Sequence, residues 1–142
     1  MKIHLLFSNS HYPLSPIIRA VTSIQEKRLA KYSHVALVLS ADPSNGDAVI
    51  IESTLSGKGV KLSTVSAFKK RAKSWELVEL KEQITVDQFE MMQVVACREL
   101  NKPYDLKGIV GLGIGRNWEQ PSDWWCSELV AYILKNIGMK LN

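Results

Sequence analysis

Two apolar segments joined by a polar turn constrain the fold of this chain more than any other feature. Residues 33–39 are almost continuously apolar, and residues 48–53 form a second such run. Between them, residues 42–47 read Asp-Pro-Ser-Asn-Gly-Asp, a composition typical of a turn. Two short runs rich in β-branched residues on either side of a turn predict an antiparallel hairpin. We therefore expect a sheet built around this hairpin.

The remaining segments predict an α+β domain with a small, mostly antiparallel sheet flanked by helices. The best-defined helix start is Thr85, because Gln88 three residues later completes a capping box. With 142 residues, the chain fits one domain spanning residues 1–142. Further strands are expected at residues 2–8, 60–62 and 75–80, and helices at about 15–24, 64–71, 85–100 and 123–137.

Cys126 is a candidate nucleophile because of its place in the last predicted helix. It lies in the first turn, a few residues after Ser122 or Asp123, either of which can cap the helix. Unpaired N–H groups and the positive end of the helix dipole stabilise a thiolate there, and they can also bind an oxyanion. An arbitrary cysteine is more often a small core residue, which is the role expected for Cys97 in mid-helix. Position alone therefore does not make Cys126 catalytic.

A histidine and a carboxylate on the predicted hairpin supply the other groups that a nucleophilic cysteine needs. His34 begins the first strand, and Glu52 lies on the second, where pairing about the turn brings the two side chains together on one face. A lone histidine on such a strand is usually structural. A carboxylate bound to one ring nitrogen, however, fixes the tautomer and leaves the other nitrogen for a thiol. Cys126, His34 and Glu52 then make the nucleophile, base and orienting residue of covalent catalysis.

The order of these motifs resembles a known family. The segments are Ser-His-Val-Ala-Leu-Val at 33–38, Val-Ile-Ile-Glu-Ser at 49–53, Gly-Val at 59–60 and Cys-Ser-Glu-Leu-Val at 126–130. They are similar to the circularly permuted branch of the NlpC-like papain-fold hydrolases, which includes permuted papain-like amidases of bacteria and their phage and poxvirus relatives. Lecithin retinol acyltransferase is a more distant relative of this branch. Unpermuted members place the cysteine helix before the histidine strand, whereas here the histidine comes first.

The resemblance covers residues 15–138 and implies a circularly permuted papain-like fold with a small antiparallel sheet or half-barrel. It implies Cys126 as nucleophile, His34 as general base and then acid, and Glu52 as the orienting residue. Lys-Pro-Tyr-Asp at 102–105 resembles the Pro-Tyr segment of these enzymes, which implies that Tyr104 lies beside the nucleophile and helps to hold the oxyanion. The segment 111–121 aligns with no family pattern. Three nearby tryptophans are expected in the core or the pocket wall: Trp118, Trp124 and Trp125.

Charge and composition argue against several other classes of protein. The net charge is +4, and the densest basic run, residues 69–73, is typical of a solvated helix face; contact with phosphate or a membrane surface is the minority interpretation. The run contains no aromatic residue, which argues against binding of nucleic acid. The two cysteines form no zinc-binding pattern, so we expect no metal and no cofactor. Without an apolar run of ~20 residues or a signal peptide, a cytoplasmic location is expected.

Two functions from different classes fit this sequence. The first is a thiol hydrolase that cleaves an amide bond of a peptide or cell-wall fragment, or an acyl bond, through a thioester. The second is a catalytically weak or inactive module of the same fold that binds an acyl chain or peptide, such as a phage or viral accessory protein. The presence of Cys126, His34 and Glu52 together favours the enzyme, because a binding module needs no such set. The substrate, the acceptor and the oligomeric state do not follow from the sequence.

Overall fold

The computed structural model describes residues 1–9, 34–54, 59–102 and 126–139, with side chains of the last range described from Glu128 onward. The expected helix at 15–24 lies outside these residues. The expected strands and the other three helices are present. In chain order the elements are β1 (Lys2–Ser8), β2 (His34–Val38), β3 (Val49–Thr54), β4 (Gly59–Thr64), α1 (Val65–Arg71), β5 (Trp75–Gln83), α2 (Val86–Arg98) and α3 (Cys126–Asn136).

The five described strands form one antiparallel sheet in the order β4-β3-β2-β1-β5. The predicted hairpin is present, with Leu37 opposite Ile51 and Val38 opposite Ile50. β1 lies between β2 and β5, so the first strand of the chain is interior to the sheet. β2 lies between β3 and β1, so its backbone N–H and C=O groups can pair with a strand on each side. An interior strand of this kind suits an apolar sequence.

The two faces of the sheet carry separate hydrophobic clusters, which explains why β2 and β3 are nearly continuous in apolar residues. Side chains of successive strand residues point to opposite faces, and here both faces are covered. The larger cluster contains residues of α2 and α3 packed on Val35, Leu37 and Ile51. The smaller cluster contains Val65 and Phe68 of α1 packed on Ala36, Val38 and Ile50.

Capping contacts confirm the predicted starts of α1 and α2, whereas Ser122 and Asp123, the predicted caps of the last helix, lie outside the described residues. Thr64 caps α1, its hydroxyl accepting from the Ala67 N–H at 3.2 Å. Thr85 caps α2 in a complete capping box, in which its hydroxyl accepts from the Gln88 N–H and the Gln88 side chain accepts from the Thr85 N–H. These contacts satisfy N–H groups that lack intrahelical partners. Gly138, with φ of 91°, ends the turn after α3 in a conformation that glycine adopts readily.

The expected core position of Cys97 is wrong: the side chain is exposed on α2. The buried stripe of this helix is formed by Phe89, Met92, Val95 and Ala96. Cys97 follows Ala96 by one residue, a rotation of ~100° about the helix axis, which turns it away from the sheet. Cys97 is therefore accessible to thiol reagents, which matters for the experiments below. Among the described helices, none is long and apolar enough to cross a membrane.

Candidate active site

His34 and Glu52 form the centre of the candidate site, in the arrangement that the hairpin predicts. The Nε2 atom of His34 lies 2.8 Å from Oε1 of Glu52. The histidine side chain is 14% exposed and that of the glutamate 3%, so water competes little for this hydrogen bond. An ionised carboxylate only accepts, so Nε2 carries the proton in this contact and Nδ1 is the basic nitrogen of the neutral ring.

The plane of the His34 ring is also held by α1. Phe68, a buried residue of that helix, stacks on the imidazole with ring centroids 5.7 Å apart and planes 19° from parallel. The same helix begins directly after β4, so its side chains reach the sheet face that carries Ala36 and Ile50. Stacking on one side and a hydrogen bond at one edge together restrict rotation of the imidazole.

Arg71, the last residue of α1, binds the other carboxylate oxygen of Glu52. Its Nη2 lies 2.5 Å from Oε2 of the glutamate, and the arginine side chain is 49% exposed. The basic run at 69–73 predicts a solvated helix face, and Arg71 is exposed as expected, but its guanidinium also pairs with a buried carboxylate. A signal for this contact was in the sequence: a carboxylate in an apolar strand needs a cation or donors to compensate its burial, and arginine suits such pairs better than lysine.

The charge state of Glu52 follows from these contacts. Burial alone would raise the pKa of its carboxyl group, because burial disfavours the charged form. The hydrogen bond and charge of His34, together with those of Arg71, outweigh burial and hold the pKa of Glu52 below its ordinary value. At neutral pH the group is therefore an ionised acceptor that orients the imidazole.

The end of α3 is placed by a contact with α2. The Gln88 side chain, in the first turn of α2, donates to the carbonyl of Ile137 just beyond α3 at 3.0 Å. α2 begins shortly after β5, whose last residue, Gln83, pairs with Lys2. α3 itself packs against β2 and β3.

Cys126 is the first described residue of α3, and His34 is the first residue of β2, against which α3 packs. α3 packs on the face of the larger cluster, whereas His34 and Glu52 lie on the α1 face.

Comparison with known proteins decides the family. The family described as "Permuted papain-like amidase enzyme, YaeF/YiiX, C92 family" matches residues 4–142. The chain belongs to the C92 family. The match includes His34, Glu52, Tyr104 and Cys126, and it confirms the resemblance to permuted papain-like cysteine amidases. No curated protein matches the chain individually.

Membership of the C92 family indicates the fold of this protein and the broad class of its chemistry. The antiparallel sheet with helices on both faces agrees with an α+β arrangement of the permuted papain-like type. Papain-like amidases are thiol hydrolases, so the broad class of the sequence prediction is supported by the family.

The structure describes only some of the other residues of interest in this C92 protein. His4 lies on β1 with its Nε2 3.1 Å from Oε2 of Glu79. Within the described part of the chain, no group of three or more histidine, cysteine, aspartate or glutamate residues could hold a metal ion. The side chain of Cys126 and several other predicted residues lie outside what the structure describes: Tyr104, Trp118, Trp124 and Trp125.

Proposed function

We propose that this C92-family member is a thiol hydrolase that cleaves an amide bond of a peptide or cell-wall peptide. Cys126 is the nucleophile, His34 the general base and acid, and Glu52 the residue that orients His34. The observation that carries this proposal is the 2.8 Å contact between His34 Nε2 and a buried, ionised Glu52. A carboxylate held so prepares an imidazole for proton transfer at its other nitrogen.

In the proposed reaction, Nδ1 of His34 takes the proton of the Cys126 thiol, and the thiolate attacks the carbonyl carbon of the substrate. N–H groups at the start of α3, with the hydroxyl of Tyr104, stabilise the oxyanion of the tetrahedral intermediate. The intermediate collapses as the C–N bond breaks and the imidazolium gives its proton to the leaving amine. Water, deprotonated by the same imidazole, then attacks the thioester and releases the carboxylic acid and the thiol.

Three features of the described residues support this assignment. The hydrogen bond of Nε2 to Glu52 supports the assignment of proton exchange to Nδ1 in this proposal. Cys126 lies on α3, a helix that packs against β2, the strand that begins with His34. Stacking on Phe68 holds the ring in one plane, so the base needs little reorganisation when it acts.

Alkylation with iodoacetamide tests the activation of Cys126. We expect Cys126 to react at pH 7 at least about tenfold faster than the exposed Cys97, because only the thiolate is nucleophilic. Each rate is measured by mass spectrometry in a background that lacks the other thiol, Cys97→Ser or Cys126→Ser. His34→Gln should bring the rate of Cys126 close to that of Cys97. Equal rates for the two cysteines in the wild type would instead favour a non-catalytic module that binds a peptide or acyl chain.

An activated ester tests the covalent step itself. With p-nitrophenyl acetate we expect one acetyl group to be transferred to Cys126 in the Cys97→Ser background, with loss of the adduct over time as water hydrolyses the thioester. The rate of acetylation should fall on His34→Gln and on Glu52→Gln, since both changes impair the base. A stable adduct that only an added amine removes would identify an acyltransferase rather than a hydrolase.

A further inference from the structure

We propose that Arg71 is a positioning residue of this site, which holds Glu52 in the orientation that serves His34 and limits the basicity that Glu52 confers on the imidazole. This inference rests on the proposed role of His34 as general base. It follows from an arrangement of three side chains from three elements: His34 on β2, Glu52 on β3 and Arg71 on α1.

The two oxygens of Glu52 have separate partners. Oε1 lies 2.8 Å from His34 Nε2, and Oε2 lies 2.5 Å from Arg71 Nη2. A carboxylate held at one oxygen alone can rotate about its terminal bond, whereas one held at both oxygens keeps a single orientation. Arg71 thus fixes the direction in which Oε1 accepts the proton of Nε2.

Arg71 is itself anchored by its own helix. Its Nε donates to the carbonyl of Ala67 at 3.4 Å, and its guanidinium carbon lies 5.9 Å from the centre of the Phe68 ring. Since Phe68 also stacks on His34, one aromatic ring contacts both groups that bind Glu52. The arginine, the imidazole and the carboxylate therefore form one packed unit.

Other cations near Glu52 are engaged elsewhere or turned to solvent. Lys61 lies directly opposite Glu52 in the pairing of β3 with β4, but its amine donates to Oδ1 of Asn101 at 2.6 Å. Lys69 places its amine 4.1 Å from the ring centre of Trp75, and Lys70 is exposed. Among the described residues, Arg71 is the cation bound to the carboxylate.

The charge of Arg71 has a consequence for proton transfer at His34. An ionised Glu52 stabilises the imidazolium, while a cation on the same carboxylate opposes a second positive charge nearby. Removal of Arg71 should therefore make His34 easier to protonate, and the fraction of neutral, basic imidazole at a given pH should fall. The effect is moderated by solvent, because half of the arginine side chain is exposed.

An NMR titration of the ring protons of His34 tests this proposal without any substrate. In Arg71→Met we expect the titration midpoint to rise by about 0.5–1 pH unit relative to the wild type. Lys70→Met is the matched control, because it removes the same charge from the adjacent, exposed position, and its midpoint should move by less than about 0.2 unit. Arg71→Lys retains the charge and should return the midpoint most of the way to the wild-type value.

The outcomes separate this proposal from the function on which it rests. Equal midpoints in Arg71→Met and Lys70→Met would overturn the role of Arg71, even if Cys126 proved to be an activated nucleophile. A raised midpoint together with a shift of the Cys126 alkylation profile in the same direction would support both. If the midpoint rises while His34→Gln leaves the alkylation of Cys126 unchanged, the function proposed for the site fails and the contact is structural only.

Discussion

Glu52 is a charged group in a position that would disfavour folding if it stood alone. Its side chain is 3% exposed, and the uncompensated burial of a carboxylate costs several kcal/mol. Two partners offset this cost, one of them an imidazole that donates a hydrogen bond and the other a half-exposed guanidinium. The same contacts that make the charge tolerable also orient the proposed base, so stability and the proposed function are coupled at this residue.

Replacement of Glu52 by Gln should destabilise the protein by about 1–3 kcal/mol at pH 7, because it removes the charge that binds Arg71 and His34. The pKa of Glu52 is lowered in the folded state, so its charge contributes stability above the ordinary carboxyl pKa of about 4.3. That contribution is lost as the pH falls through the lower, folded-state value. The difference between wild type and variant should therefore shrink in acid, as measured by urea denaturation at pH 7 and at several points below pH 5.

Glu99 offers a matched control for this experiment. It is also buried and pairs with a lysine, Lys102, three residues along the chain, and it lies at the end of α2. Glu99→Gln should cost stability while leaving the titration of His34 and the alkylation of Cys126 unchanged. A change in either readout of the same size as in Glu52→Gln would mean that the site responds to destabilisation in general.

Helices and strands of this protein were predictable where their signals are local in sequence. The turn at 42–47 and its flanking apolar runs specify the hairpin, and the hairpin register brings His34 to Glu52. The capping box at Thr85 likewise involves neighbours only three residues apart. Contacts between elements were not predictable in this way, because they depend on how each element packs.

Arg71 and Cys97 illustrate why contacts between elements are hard to predict from sequence. Arg71 reaches Glu52 only because α1 folds back over the face of the sheet that carries β3, which the basic run itself does not reveal. For Cys97, the sequence predicts a position within the helix, but the residue lies beside the buried stripe and is exposed. The position of the end of α3 also involves a contact between distant residues, Gln88 and Ile137.

Gln88 joins the start of α2 to the end of α3, so substitutions of this residue test how much a contact between helices contributes to stability. Its Oε1 accepts from the Thr85 N–H at 2.9 Å, and its Nε2 donates to the Ile137 carbonyl at 3.0 Å. Gln88→Glu keeps the acceptor of the capping box but loses the donor, whereas Gln88→Ala loses both. We expect Gln88→Ala to lower the free energy of unfolding by about 1–2 kcal/mol.

Gln88→Ala and Gln88→Glu separate the contribution of the capping box to stability from that of the contact with Ile137. If the contact with Ile137 matters, Gln88→Glu should also be destabilised, by about 1 kcal/mol, although its capping group is intact. Thr85→Ser serves as the control, since serine retains the hydroxyl that caps α2. Chemical denaturation with matched slopes provides the measurement. Wild-type stability in Gln88→Glu would show that the end of α3 is held by its apolar packing instead.

In the part of the chain that the structure describes, the sheet separates two hydrophobic cores, and His34 and Glu52 lie on the face of the smaller one. The larger cluster holds α2 and α3 against the sheet, and it includes Ile133 and Leu134 of the helix that begins with Cys126. The smaller cluster holds α1, whose Phe68 contacts His34. Formation of the proposed site therefore requires both cores, one to place the helix of the nucleophile and the other to place the base and its orienting residues.

This division predicts which substitutions act independently. Ile133→Val, in the larger cluster, should cost about 0.5–1.5 kcal/mol, and Phe68→Leu, in the smaller, about 1–2 kcal/mol. Because the sheet separates the two side chains, their effects should add to within about 0.5 kcal/mol in the double variant. Phe68→Leu and His34→Gln, whose rings are in contact, should instead deviate from additivity by more than this amount. Urea denaturation of the single and double variants measures both cycles. Coupling between Ile133 and Phe68 as large as that between Phe68 and His34 would mean that the sheet transmits packing changes from one face to the other, and that the two cores form a single unit.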